Sequence, residues 1–349
     1  MVRPEHRTPT KAVPGARVAI VSPSFAAPAL FPAVHELAMR RLRDDLGLVP
    51  VEYPTTRQLG APARDRAADL MAAFSDPTIA AVMATIGGDD QITVLPHLDA
   101  DAVAANPKPF FGYSDNTNLL NWLWNLGIVA YHGGSTMVHL GRAGATHSVS
   151  LGSLRAALFT TDAVALHPVD AFSEDEVDWT TPEALQNGPT MRASDGWTWH
   201  RADVTVEGPT WGGNLEVLHW NLAADRWIRP VGDYAGCILL IETSEEMPSA
   251  TEVGRMLRNM GERGLLAQFP AIVVGRPKAS VFTHPKSDDD RAAYVDAQRK
   301  AILARVEEYS PDTLVVLGVD IGHTDPQWIV PYGGRMRIDG VRRMIHVQY

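Results

Sequence analysis

The 349-residue chain has a single cysteine, Cys237. No intramolecular disulfide can form, so a small fold stapled by disulfides is excluded. The neighbours of Cys237, in Gly236-Cys-Ile-Leu-Leu-Ile241, have the apolar character of a buried strand. That makes it a small core side chain rather than a reactive thiol. No run approaches the roughly 20 apolar residues needed to span a bilayer. Residues Met1 to Gly15 lack the apolar segment of a signal peptide, so a loose tail over 1–15 and a cytoplasmic location, without membrane contact, are expected. Positive charge is also short: 31 Lys and Arg stand against 41 Asp and Glu, a net charge of −10. Such a balance disfavours nucleic-acid polymers and anionic membranes as partners. No cluster of His, Cys, Asp and Glu has metal-ligand spacing, so neither metal nor cofactor is expected.

What is present is an ordinary globular mix, 45% hydrophobic and 21% charged, long enough for about two domains. Short apolar runs alternate with stretches of helical periodicity. Strands are expected over 17–22, 49–53, 80–86 and 110–113, with helices over 30–46, 61–74 and 116–126. Strands alternating with helices of this length imply parallel βαβ units, whose ligands bind beyond the carboxyl ends of the strands. A second ordered region follows. It has strands at 237–241, 271–274 and 313–317, helices at 249–263 and 291–309, and a hairpin-like alternation over 335–347. Between them, 166–207 is acidic, aromatic and rich in turn residues. Loops this long are functional or disordered, and the tryptophans argue against disorder. The expected organisation is therefore a tail at 1–15, an N-terminal α/β domain at 16–165, a linker and substrate-covering loop at 166–207, and a smaller C-terminal domain at 208–349.

Four segments could carry chemistry. In Phe110-Phe-Gly-Tyr-Ser114-Asp-Asn-Thr117 a strand ends, a glycine permits a tight turn, and a serine precedes a helix. This is the logic of a nucleophile elbow, with helix N–H groups free for an oxyanion. Asn116 stands where the second glycine of that motif would be, and Ser114 or Asp115 could equally cap the helix. Gly87-Gly88-Asp89-Asp90 follows a buried strand, and its glycines allow close approach to the backbone. Glu242 ends the strand Ile238–Ile241, with Glu245 and Glu246 nearby as alternative carboxylates. Among twelve histidines, His323 lies in a glycine-punctuated loop after strand 313–317, which suits a general base. His132, in Tyr131-His-Gly-Gly134, is its main rival.

Taken together, Thr85-Ile-Gly-Gly-Asp-Asp90, Gly112-Tyr-Ser-Asp-Asn-Thr117, Trp211-Gly-Gly-Asn-Leu215, Ile238-Leu-Leu-Ile-Glu242 and Gly322-His-Thr-Asp-Pro326 make the chain resemble the LD-carboxypeptidase family of serine peptidases. Within it, the resemblance is to the branch of the microcin C immunity proteins. It implies a flavodoxin-like N-terminal domain, a swivelling β/α C-terminal domain and a homodimer. It also implies a Ser114–His323–Glu242 triad and an oxyanion hole of Gly88 and Asp115 N–H groups. Substrate binding would fall to Gly87, Asp89, Asn214 and Trp179, the last matching a tryptophan that stacks on a nucleobase, an interaction worth roughly 1–3 kcal/mol. The Ile-Gly-Gly-Asp-Asp loop is similar to the immunity branch, whereas peptidoglycan-recycling members typically have Arg-Gly-Gly-Tyr-Gly. Gln91-Ile92 departs from the Ser-Asn frequent in that branch. The implied substrate is an aminoacyl- or peptidyl-nucleotide, with a murein tetrapeptide as alternative. A non-catalytic small-molecule binding protein on the same frame is the rival from another class.

Overall fold

The computed structural model describes residues 3–281 and 283–349. Strands and helices alternate from the start: β1 (Arg17–Val21), α1 (Pro32–Asp44), β2 (Val49–Glu52), α2 (Ala63–Ser75), β3 (Ile79–Ala84), α3 (Ala100–Ala105), β4 (Phe110–Gly112), α4 (Thr117–Asn125) and β5 (Ala130–His132). The five strands pair in parallel in the spatial order 2-1-3-4-5. That is the flavodoxin-like, doubly wound arrangement. β1 and β3 are almost wholly buried, as continuous Val/Ile/Ala runs in a sheet covered on both faces must be.

Next come α5 (Ser148–Phe159), β6 (Ala163–Leu166), β7 (Ala171–Phe172), α6 (Glu183–Gln186), β8 (Arg192–Ala193) and β9 (Thr198–His200). The second lobe is built by β10 (Thr205–Asn214), α7 (Leu215–Ala224), β11 (Ile238–Glu242), α8 (Ala250–Glu262), β12 (Ala271–Gly275), α9 (Asp288–Tyr309) and β13 (Leu314–Val319), and the chain ends in β14 (Val330–Tyr332), β15 (Arg335–Asp339) and β16 (Met344–Gln348). Its sheet runs β6-β16-β15-β10-β11-β12-β13-β9, parallel from β10 to β13.

Sheet membership does not follow the order of the chain. β6 pairs with β16 in the second sheet, while β14 returns to pair with β5 in the first. Residues 166–207 hold three short strands and a helical turn, and β9 forms the edge of the second sheet against β13. The tryptophans pin this stretch down: Trp197 Nε1 donates to the buried Asp320 Oδ2 at 2.8 Å. Strands of two or three residues are too short to show a period. α9 starts three residues before the expected 291, because Ser287 Oγ accepts from Asp290 N and three aspartates occupy the first turn.

Apolar core runs across the seam between the lobes. Trp124 of α4 stacks on Tyr234 at 5.3 Å, and Tyr234 packs on Trp211 of β10 at 4.4 Å. All three rings are fully buried. Trp124 Nε1 donates to Thr210 O, and Tyr332 Oη accepts from Gly212 N while lying 2.8 Å from Asn121 Oδ1. The seam is thus a packed interior rather than a wet domain interface. Trp124→Ala is expected to cost about 3–5 kcal/mol, read as a lower midpoint in urea unfolding.

Candidate active site

The segment after β4 forms a strained turn. Ser114 has φ of 61°, a left-handed conformation that costs a non-glycine residue roughly 1–3 kcal/mol. Packing enforces it. A Cβ at Gly87 would lie 2.8 Å from Ser114 Cβ and 2.9 Å from its Oγ, so only glycine lets the Gly87-Gly88 loop lie against the serine. Asn116, which replaces the second glycine of an elbow, ties the turn to the β3 loop. Its Nδ2 donates to Ile86 O and Tyr113 O. Gln91, fully buried, donates from Nε2 to Asn116 Oδ1 at 2.8 Å and accepts from Leu119 N at 3.0 Å. The Asp115 carboxylate accepts from Gln91 N, Asn118 Nδ2 and Ser24 Oγ. The position that departs from the immunity branch therefore locks the turn from behind.

Glu242 is the last residue of β11 and is 2% exposed. Its Oε2 receives His323 Nδ1 at 2.6 Å. Gly322 makes this contact possible, since with φ of 89° it passes so close that a Cβ would sit 2.7 Å from both Cβ and Oε2 of Glu242. The loop carrying His323 is held at its other end by Gln327 Nε2 on the Gly322 carbonyl and by paired Ser173 and Asp325 backbones. Arg142 bonds the Asp325 carboxylate at 2.8 Å. Burial would draw the His323 imidazole down, but the Glu242 carboxylate and then Glu245 outweigh it and lift it to about 9. Burial would raise the Glu242 carboxyl, yet the His323 charge, the close approach of His132 and the His323 hydrogen bond bring it well below the ordinary range.

His323 Nε2 faces Glu245 Oε2 at 3.2 Å, so the link from imidazole to the Ser114 hydroxyl is not made in this arrangement. Glu245 is half-exposed, on a loop that Glu216 anchors by accepting from Ser244 N and Oγ at 2.8 and 2.7 Å. Burial, and secondly the Glu242 charge, push the Glu216 carboxyl up.

Ser114 and His323 open on one cavity of about 690 Å³, within the range of small-molecule sites. Gly87, Gly88 and Trp179 line it as well. Trp179 packs edge-on to Phe31 at 5.4 Å, so it holds the covering loop and walls the cavity at once. Asp89 and Asn214 are not brought to the wall. Asp89 is exposed, and Asn214 is buried as the cap of α7, its Oδ1 accepting from Val217 N. His132 is fully buried behind Glu242, Nε2 to Oε1 3.7 Å, away from the cavity lining. Sequence reasoning missed Gln91, Asn116 and Glu216 as supports. The glycines beside the site were the available signal, and buried polar partners leave none. Among the described residues, no group of His, Cys, Asp and Glu is arranged to hold a metal, and no helix is long and apolar enough to cross a membrane.

The model of the LD-carboxypeptidase N-terminal domain matches residues 18–133, and that of the C-terminal domain matches 207–338. The microcin C7 self-immunity protein MccF of Escherichia coli is 25% identical over 281 residues, 79% of this chain and 76% of that protein. A "probable murein peptide carboxypeptidase" of Bacillus subtilis is 27% identical over 275 residues, covering 78% and 72%. The solved structure of an MccF-like protein from Streptococcus pneumoniae in complex with AMP superposes with a TM-score of 0.84 at 27% identity, over 96% of this chain and 99% of that one.

Gly322→Ala should push Glu242 aside while leaving the fold intact by circular dichroism. The rate at which Ser114 reacts with a serine-directed acylating probe should drop about 100-fold, since a misplacement near 1 Å costs that much.

Proposed function

Because the chain belongs to the LD-carboxypeptidase family and is a serine carboxypeptidase, we propose that it hydrolyses the acyl bond joining an aminoacyl or peptidyl group to a modified nucleotide. The carrying observation is the buried Glu242–His323 bond at 2.6 Å beside a strained Ser114 on the same cavity. Glu245, being half-exposed, swings clear when substrate enters. His323 Nε2 then takes the Ser114 proton as Oγ attacks the carbonyl. Glu242 holds the imidazole and stabilises its charged form. The N–H groups of Gly88 and Asp115 receive the oxyanion, each such donor being worth about 2.7–4 kcal/mol of barrier. His323 returns the proton to the leaving nitrogen, and water, activated by the same imidazole, releases the acyl group.

Two relatives support the nucleotide half of the substrate: one bears the name of a microcin self-immunity protein, and the other was solved with AMP. Trp179 stands on the cavity wall where a base would stack. A homodimer in the cytoplasm completes the proposal, and light scattering tests the assembly.

Ser114→Ala should retain the parental unfolding midpoint, whereas His323→Ala should fold with a lowered midpoint because buried Glu242 loses its partner. Both should lose at least about 1,000-fold in turnover of acyl-sulfamoyl adenylates. Assayed beside them, a murein tetrapeptide should be the poorer substrate, and Trp179→Ala should raise KM for the nucleotide compound alone. Full activity in either triad variant overturns the assignment.

The pH dependence follows from the raised His323. Only the neutral imidazole accepts a proton, so kcat/KM should rise with pH and level off above about 9. Glu245 stabilises the charged form, so Glu245→Gln should move the rising limb to lower pH. An unmoved limb would show that Glu245 does not face the base in solution.

A further inference from the structure

Two buried polar groups meet across the seam without partners. Glu242 Oε1 is buried and has no hydrogen bond, although Oε2 of the same carboxylate is engaged by His323. His132, on β5 of the other lobe, is fully buried, and both its ring nitrogens lack partners. Its Nε2 is 3.7 Å from that Oε1. An unpaired carboxylate oxygen and an unpaired ring nitrogen facing one another in an interior are each costly alone, and one hydrogen bond between them satisfies Glu242 Oε1 and His132 Nε2.

We infer that His132 is a positioning residue for the proposed reaction: its Nε2–H donates to Glu242 Oε1 when the lobes tighten, holding the carboxylate on His323. This rests on the Ser114–His323–Glu242 reading. Closing 3.7 Å to about 2.9 Å needs a movement of less than 1 Å. Because the donor belongs to the first lobe and the acceptor to the second, the bond links the triad carboxylate to lobe docking. His132 keeps its proton throughout. It serves as Nε2–H donor only, and the proton that moves is the one shared by Ser114 and His323. Position tells against its being the base, since it is fully buried and does not line the cavity on which Ser114 and His323 open. The other titratable groups around the pair are Tyr113, 6.0 Å from His132 and 4.9 Å from His323 by ring centroid, His139, Glu216, Glu245 and Asp325. Among them Tyr113, His139 and Glu216 are buried.

The test compares His132→Leu, which removes the donor at similar volume, with His132→Gln, which keeps an N–H near the Nε2 position. Turnover of an acyl-sulfamoyl adenylate is measured, with Ser114→Ala as control. The leucine variant should lose about 10- to 100-fold in kcat with KM within twofold, and the glutamine variant should recover to within about threefold of the parent. Equal losses in both variants, or parental kcat in the leucine variant, overturn the inference. An active Ser114→Ala overturns the triad reading instead, so the two failures are distinct. A measurement on the unaltered protein holds even where the leucine variant does not fold. Nitrogen-15 NMR of labelled histidine should show His132 protonated at Nε2 and bare at Nδ1, and the opposite tautomer overturns the inference.

Discussion

The whole arrangement depends on the aromatic seam between the lobes. Ser114 belongs to the first sheet and Glu242 and His323 to the second, so no local interaction can bring them together. Trp124, Tyr234 and Trp211 do it instead, packed together in a continuous core. β10 reinforces the contact at the turn itself, where Asn214 N donates to Thr117 Oγ1 at 3.0 Å. Gly213 approaches so closely that a Cβ would meet Thr117 Oγ1 at 2.6 Å. A wet interface of the usual interdomain kind would let such a site drift; a packed one transmits position.

Within that frame, charge is managed by pairing. Glu242 is nearly inaccessible, and an isolated carboxylate there would neutralise itself. The His323 contact keeps it ionised, and it in turn favours the imidazolium. In the proposed reaction the same pairing stabilises the imidazolium that forms once the neutral ring has taken the Ser114 proton. Glu245 completes a second pairing on the solvent side of His323.

Much of this was legible beforehand. The parallel βαβ order of the first lobe follows from apolar runs alternating with helical periods, and the apolar strands ending at Glu242 and before His323 were legible for the same reason. Residues 166–207 were not, because β7, β8 and β9 hold only two or three residues each, and β9 pairs with β13, far along the chain. Gln91 was equally opaque as a support. A buried side chain that bonds another element looks, in sequence, like any polar residue in a loop. Asn214 was hidden in the same way: its side-chain oxygen caps α7 and the residue is buried off the cavity wall.

The sequence by itself determined what is local or periodic: strands β1–β4 and β11–β13 with most of the helices between them, the glycines that permit the Ser114 and His323 turns, and the lack of disulfides. Those properties are set by neighbours a few residues away, through backbone freedom and the spacing of apolar side chains. Only the tertiary structure decided which carboxylate meets which imidazole. Glu242 and Glu245 are three residues apart and chemically alike, yet one is buried on Nδ1 and the other half-exposed on Nε2. That choice is made by burial and by the path of Gly322, which are properties of the packed molecule and not of the chain.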